Sequence, residues 1–458
     1  MHKFDDSILR AYDIRGVIGE TLNANDAFAL GRKFSLFIGN KNSAPKIVVG
    51  YDGRISSQLL NKELIRGLVS NGSEVTCIGM CPSPMLYYAS EKLKSDGAIM
   101  ITGSHNPANY NGFKMLVGGR SIFGKDIQKL ARVEEGNIKK EGIKKNYNIE
   151  ESYLSTLTKY VKNFNEELKV VWDPGNGATG DLLKKMITLL PGKHILINSK
   201  VDGTFPSHHP DPTEEKNLKQ LKTNVARVHA DIGIAFDGDG DRIGIIDSES
   251  KFIPGDKLLF IFATQVIKNH PAATIISDVK ASNAILSEIN KIGGKSLMWK
   301  TGHSFIKAKM KETGALLAGE MSGHIFFADK YYGFDDALYA SVRLLSLLAK
   351  NINLEKFMSS LPKTFVSPEI KLHCSDKKKF TIIDNISKKA LEDYSSENII
   401  AIDGVRAKNN FGWWLIRASN TEEKLIIRYE GKSDAYKQEL FLEVQKRLKR
   451  EGLTLELN

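Results

Sequence analysis

Two short stretches carry residue types suited to phosphoryl chemistry. Thr102-Gly103-Ser104-His105-Asn106-Pro107 offers a serine hydroxyl among polar loop residues, and Asp237-Gly238-Asp239-Gly240-Asp241-Arg242 offers carboxylates at alternate positions. A serine hydroxyl can accept a phosphoryl group when a neighbour handles its proton. His105 and Lys114 are the available neighbours. Clustered carboxylates repel one another, and a divalent cation relieves that cost. Magnesium suits carboxylates combined with a phosphate oxygen. Arg242 is placed to offset charge on the group in transfer. Together the loops point to metal-assisted phosphoryl transfer through a covalent phosphoserine.

Other readings of the same residues stay open at this level. Gly, Ser, Asn and Pro also favour a plain turn. No Gly-x-Ser-x-Gly elbow is present, which makes an esterase triad the weaker reading of Ser104. The acidic loop begins with the spacing of an EF-hand, but that loop needs glycine at its sixth position and glutamate at its twelfth. Arg242 and Ser248 stand there instead. A solvated acidic turn is the remaining alternative. In Gly319-Glu320-Met321-Ser322-Gly323-His324 a carboxylate and a hydroxyl suit sugar hydroxyls, or a helix cap. Arg417-Ala418-Ser419-Asn420-Thr421 can ligate a phosphate through charge-assisted bonds and backbone amides, or form an ordinary loop between strands. The absence of a Walker A motif, a kinase motif set or a dinucleotide glycine fingerprint disfavours nucleotide-driven chemistry.

The elements that must position these loops repeat. Each of three copies opens with a short apolar strand ending in aspartate: Ile47 to Asp52, Val170 to Asp173 and Ile275 to Asp278. A helical segment follows each (Ser57 to Asn71, Asp181 to Leu190, Asn283 to Ile292), then a second strand (Glu74 to Ile78, His194 to Ile197, Lys295 to Trp299). A third strand runs into each polar loop: Gly97 to Ile101, Ile232 to Phe236 and Gly314 to Ala318. Alternating strands and helices imply crossover units, and ligands bind beyond the strand ends of such sheets. The pattern predicts an α/β chain, with three related mixed-sheet α/β domains and a smaller C-terminal α+β domain around one central cleft. The last part is read as a helix over Phe380 to Tyr394, strands at Ile399 to Ile402, Trp413 to Arg417 and Leu425 to Tyr429, and a helix from Asp434 to Arg450. The expected boundaries are 1–147 with the serine loop, 148–252 with the acidic loop, 253–364 with the Glu320 loop and 365–458 with the Arg417 loop.

At 458 residues the chain is too long for a single core and suits about three or four domains. No apolar run is long enough to span a bilayer and the start lacks a signal-peptide core, so a cytoplasmic protein without membrane attachment is expected. Three cysteines form no disulfide framework, and Cys77 with Cys81 lacks the further ligands of a zinc site. The net charge is +11, but the excess is scattered rather than gathered in a basic stripe with aromatics. That argues against a nucleic-acid partner and suits anionic small substrates.

With these loops on the page, the chain resembles the α-D-phosphohexomutases, closest to the bacterial phosphomannomutase/phosphoglucomutase group. Ala11-Tyr12-Asp13-Ile14-Arg15-Gly16, the Ser104 loop, Asp237 to Arg242, Gly319 to His324 and Arg417 to Thr421 occur in the family's order across essentially the whole chain. The resemblance implies an active form phosphorylated at Ser104 and one Mg²⁺ per chain held by Asp237, Asp239, Asp241 and the phosphoserine. It implies sugar-hydroxyl contacts from Glu320 and Ser322. Arg417, Ser419, Asn420 and Thr421 are implied to hold the non-reacting phosphate. Tyr12, Arg15, His105, Asn106, Lys114, Arg242, Lys280, His303 and His324 would complete the cleft as phosphate, sugar and acid–base contacts. The implied reaction moves phosphate between C1 and C6 of mannose and glucose phosphates, with glucose 1,6-bisphosphate or mannose 1,6-bisphosphate as intermediate and activator. A monomer is expected. Met321 stands where the phosphoglucosamine mutases resemble Glu-Gln-Ser-Gly-His, which argues against that alternative. A non-catalytic phosphosugar-binding protein is the other alternative. Ala418 and Glu423 stand where a proline often occurs, a departure that bears on loop stiffness.

Overall fold

Runs such as Ile47-Val48-Val49 and Ile275-Ile276 are β-branched and have no polar side chain for a wet face, so they form strands covered on both sides. In the computed structural model, which describes residues 2–39, 44–134, 141–159, 167–349, 354–420 and 422–455, they are the central strands of three like-built sheets. The central strands are Lys46–Tyr51, Lys169–Asp173 and Thr274–Asp278. On one side each pairs in parallel with the next strand of its repeat: Glu74–Met80, Lys193–Leu196 or Lys295–Trp299. On the other side each pairs in parallel with Gly97–Ile101, Ile232–Phe236 or Leu317–Gly319. Parallel neighbours need crossover helices, which supplies the strand–helix alternation seen in the sequence.

A fourth strand in each sheet was not foreseen. Tyr110–Val117, Ile243–Asp247 and Ile325–Phe327 run antiparallel to the third strands. Each functional loop is therefore the connection between a parallel strand and its antiparallel return. The predicted start of the last third strand at Gly314 is corrected. Gly314 adopts φ +67 and closes the helix His303–Thr313, so extended structure begins at Leu317. The helix predicted to reach Leu190 ends at Met186 and tightens into a 3₁₀ turn over Ile187–Leu189.

The C-terminal part forms an antiparallel sheet of its own, with helices Asp376–Asp393 and Asp434–Arg450 packed against it. Two of its strands, Ile370–His373 and Val405–Lys408, were missed because cations interrupt their apolar pattern. Arg406 is nonetheless buried. Its guanidinium lies 3.5 Å from the Trp413 ring centroid and donates to the carbonyls of Val279 and Ala281 in the third repeat.

The first repeat and the C-terminal part keep apolar clusters of their own, as expected, but a further cluster is shared. One apolar cluster runs from Val48 and Tyr87 through Trp172 and Phe236 to Phe262 and Phe327, across all three repeats. Helices such as Ser83–Lys92 and Ala337–Leu348 are buried along most of their length and fill the space between sheets. Loops on three sheets can then be held to within hydrogen-bonding distance of one another. Among the described residues no helix is long and apolar enough to cross a membrane.

Candidate active site

The loops converge on a cleft of about 910 Å³ lined from all three repeats and the C-terminal part. Ser104 is 2% exposed and adopts φ +49, an uncommon left-handed conformation for a residue with a side chain. Arg54, fully buried beneath the loop, holds it there. Its guanidinium donates to the carbonyls of Ser104 at 2.7 Å, Asn106 at 2.6 Å, Pro107 at 2.5 Å and Tyr110 at 3.0 Å. Asp52 accepts from Gly103 N and lies 3.2 Å from Arg54 Nε. Gly103 is required because a Cβ would lie 2.5 Å from the guanidinium. Burial lowers the Arg54 pKa and Asp52 counters it. Sequence reasoning missed Arg54, although Asp52-Gly53-Arg54 directly after a strand was a visible signal. Arg54→Met should unpair those carbonyls at about 1–3 kcal/mol for a buried group left unsatisfied. Hydrogen exchange in peptides spanning 103–110 should then speed at least tenfold, while exchange in the C-terminal helix stays unchanged.

Ser104 Oγ donates to Asp237 Oδ2 at 2.9 Å and lies 3.3 Å from His105 Nδ1. Asp237, Asp239 and Asp241 are fully buried, and one oxygen of each falls within a 4.8 Å cluster. Gly238 permits the meeting of the two loops, since a Cβ there would lie 2.4 Å from the Ser104 carbonyl. The other oxygens are tied down. Asp237 Oδ1 accepts the amides of Asp241 and Arg242, and Asp239 Oδ2 accepts Ser83 Oγ at 2.5 Å and Lys114 Nζ at 2.7 Å. Lys114 also donates to Asp241 Oδ2 at 2.5 Å. Asp239 Oδ1 and Asp241 Oδ1 are buried with no hydrogen-bond partner among the described residues. Unpartnered buried carboxylate oxygens are costly. Together with Asp237 Oδ2 they form an all-oxygen donor set that fits a hard divalent cation such as Mg²⁺.

Burial, with Asp239 and Asp241 beside it, pushes the Asp237 carboxyl well up. Burial acts in the same direction on Asp239, but the Lys114 ammonium outweighs it and the carboxyl falls below its usual range. Burial disfavours charge on Lys114 too, yet Asp239 and Asp241 hold its pKa well above the usual value. Lys114 bridges the two carboxylates in this structure. Burial, with Arg242 and Arg15 nearby, pushes the His105 pKa well down.

The other predicted residues surround this centre. Arg15 lines the cleft, paired with Asp13 at 2.5 Å and donating to Asn106 Oδ1 at 2.7 Å. Asn106 thus braces Arg15. Glu320 Oε1 accepts Gly302 N at 2.6 Å, and its buried Oε2 has no partner among the described residues. Burial raises its carboxyl pKa. Tyr12, Lys280, His303, Ser322, His324, Ser419 and Asn420 all line the cleft. Thr421 lies outside the described residues. Arg417 is clasped by Asp403 through Nε at 3.0 Å and Nη2 at 3.2 Å. Lys280 donates to Glu369 at 3.0 Å. Burial raises the Glu369 carboxyl, but the Lys280 charge outweighs it and brings the pKa down to about 2. Asp403, Glu369, Lys307 and Asp335 were all missed. They occupy no motif, and the partner of Glu369 lies 89 positions away.

Three sheets of one design and a C-terminal α+β unit closing a polar cleft define the phosphohexomutase class of architecture. The phosphoglucomutase/phosphomannomutase family model matches the chain in full sequence order: alpha/beta/alpha domain I over residues 6–148, domain II over 151–250, domain III over 254–365 and the C-terminal domain over 369–447. A Pseudomonas putida phosphomannomutase/phosphoglucomutase is 44% identical over 94% of this chain and 93% of its own length. A Neisseria meningitidis phosphoglucomutase is 39% identical over 93% of this chain and 94% of its own. The crystal structure of a Burkholderia thailandensis phosphoglucomutase/phosphomannomutase family protein superposes with a TM-score of 0.89 at 38% identity, covering 99% of both chains. The chain belongs to the phosphoglucomutase/phosphomannomutase family.

Proposed function

We propose that this enzyme interconverts the 1-phosphates and 6-phosphates of mannose and glucose through a phosphorylated Ser104. The observation that carries the reading is the Ser104 hydroxyl, 2.9 Å from a buried carboxylate of the acidic loop and open to the cleft. Phosphoserine passes its group to the free hydroxyl of a hexose phosphate. The glucose or mannose 1,6-bisphosphate so formed turns over within the cleft, and its other phosphate returns to Ser104. Asp237, Asp239, Asp241 and the phosphoserine would hold one Mg²⁺. When bound, this ion supplies Lewis-acid stabilisation of phosphoryl charge. Arg242 and Arg15 add fixed positive charge beside the serine, which favours a group whose oxygens gain charge in transfer. Glu320 Oε2 and Ser322 offer acceptors for sugar hydroxyls.

We assign the serine loop to a domain of residues 1–147, the metal loop to 148–252, the sugar loop to 253–364 and the phosphate loop to 365–458. The chain acts as a cytoplasmic monomer on small sugar phosphates, without nucleic acid or membrane. Coupled assays with mannose 1-phosphate, glucose 1-phosphate and glucosamine 1-phosphate test the reading. Turnover of the first two and slow turnover of the third are expected. Preference for glucosamine 1-phosphate would move the chain to that subfamily, and binding without turnover of any would make it a sugar-phosphate-binding protein.

Arg417, with Ser419 and Asn420, holds the non-reacting phosphate in this scheme. Arg417→Ala should weaken apparent substrate affinity by about 1.5–3 kcal/mol, the worth of a charge-assisted contact. Because remote binding also orients the sugar, kcat falls as well. The turned bisphosphate must be gripped again at this loop, so the variant should release more free hexose 1,6-bisphosphate per turnover. Unchanged affinity with unchanged release would make 417–421 an ordinary loop.

A further inference from the structure

Behind the acidic loop lies a second buried polar cluster, centred on Asp335 and Lys307, which belong to no motif. Asp335 is fully buried and paired backbone-to-backbone with Phe326, beside the Glu320 loop. Its Oδ1 accepts from Lys307 Nζ at 2.8 Å. Its Oδ2 lies 3.0 Å from His324 Nδ1 and 3.6 Å from His303 Nδ1, ion-pair distances without the alignment of a hydrogen bond. Lys307 Nζ also stands 3.2 Å from His303 Nδ1. The two imidazoles stack with centroids 5.5 Å apart and planes at 21°. On the far side of the pair, Arg242 Nε lies 3.0 Å from His324 Nε2.

These partners fix where the ring hydrogens sit. An ammonium and a guanidinium carry donors and no acceptor, and a neutral imidazole has one of each. Facing Lys307, His303 Nδ1 must be the acceptor, which leaves the hydrogen on Nε2. Facing Arg242, His324 Nε2 must be the acceptor, which leaves the hydrogen on Nδ1, toward Asp335 and 3.5 Å from Asp241 Oδ1. We infer that Asp335 and Lys307 are positioning residues that hold the stacked histidines in opposite tautomers, with His303 offering the cleft an N–H donor and His324 a lone pair capped by Arg242.

The His303 N–H can donate to a phosphoryl or hydroxyl oxygen, while the His324 lone pair is spent on Arg242 and so fixes that guanidinium beside the cleft. Asp241, His324 and Asp335 also have the spacing of a metal site. Lys114, Lys307 and Arg242 contact those same groups, however, and their positive charges oppose a further cation there. The inference rests on the mutase reading only for its consequence in turnover, because the tautomers are observable without any reaction.

The test is ¹⁵N NMR of the full chain labelled at histidine, at about pH 8.5, where an ordinary imidazole is neutral. His303→Gln and His324→Gln variants assign the signals. The wild type should show His303 protonated at Nε2 and His324 at Nδ1. In Asp335→Asn the amide has a single oxygen to offer two donors. Lys307 keeps it by charge, so His324 should lose its pure Nδ1–H form while His303 keeps its own. Lys307→Gln should instead disturb His303. With hexose phosphate, Asp335→Asn should lower kcat about 100-fold with KM changed less than about threefold, as expected for a group that orients rather than binds. Two histidines of the same tautomer in the wild type, or an unchanged His324 pattern in Asp335→Asn, would overturn the inference. A normal tautomer pattern with no turnover of any sugar phosphate would instead count against the mutase reading alone.

Discussion

Ser104→Ala should remove essentially all mutase turnover, by roughly four orders of magnitude or more, as for other enzymes stripped of a covalent nucleophile. No neighbouring hydroxyl can substitute. Ser83 is occupied by Asp239, and Thr102 Oγ1 accepts the Ser104 amide. The alanine variant loses the hydroxyl's bond to the buried Asp237 carboxylate, so its metal-free form should melt somewhat lower, but Arg54 still holds the loop through main-chain carbonyls. Intact-protein mass spectrometry should find one added phosphate on wild type after exposure to glucose 1,6-bisphosphate and none on the variant. Phosphate mapped to another residue, with activity kept in Ser104→Ala, would end the phosphoserine scheme.

Single replacements Asp237→Asn, Asp239→Asn and Asp241→Asn should each reduce kcat by about 10²–10³-fold, or about 2.7–4 kcal/mol, the usual worth of one preorganised electrostatic group. The stability response should run the other way at Asp237. Its carboxyl is pushed up by burial and by two like charges, so loss of the charge relieves repulsion in the metal-free protein. Metal-free Asp237→Asn should therefore melt no lower than metal-free wild type. Added Mg²⁺ should raise the wild-type melting temperature, by mass action on the folded state, and raise the variant's less. Asp239→Asn differs because it weakens a partner of Lys114 and Ser83, so it should melt lower. Full activity in wild type treated with EDTA would show that the cluster serves structure alone.

The candidate site was legible in the sequence because each of its loops carries a local motif. Ser104 in a Gly-Ser-His-Asn-Pro loop, aspartates at alternate positions and Arg417 before Ser-Asn can be read without knowing what lies across the cleft. The repeated strand–helix–strand order was legible for the same reason, since buried parallel strands leave short β-branched runs bounded by Asp and Gly. The terminal helix Asp434–Arg450 also matches the sequence reading residue for residue. What tertiary structure alone decided is which charges answer which. Lys114 and Asp241 are 127 positions apart, and Lys280 and Glu369 are 89 apart. Asp335, one of two adjacent aspartates after an aromatic stretch, had no local feature to mark it rather than Asp336 as the neighbour of two histidines and a lysine. Local patterns record backbone demands such as a turn, a strand face or a close approach at glycine. The state of a buried charge depends on whatever surrounds it in space, and only packing three sheets around one shared core brings those partners together.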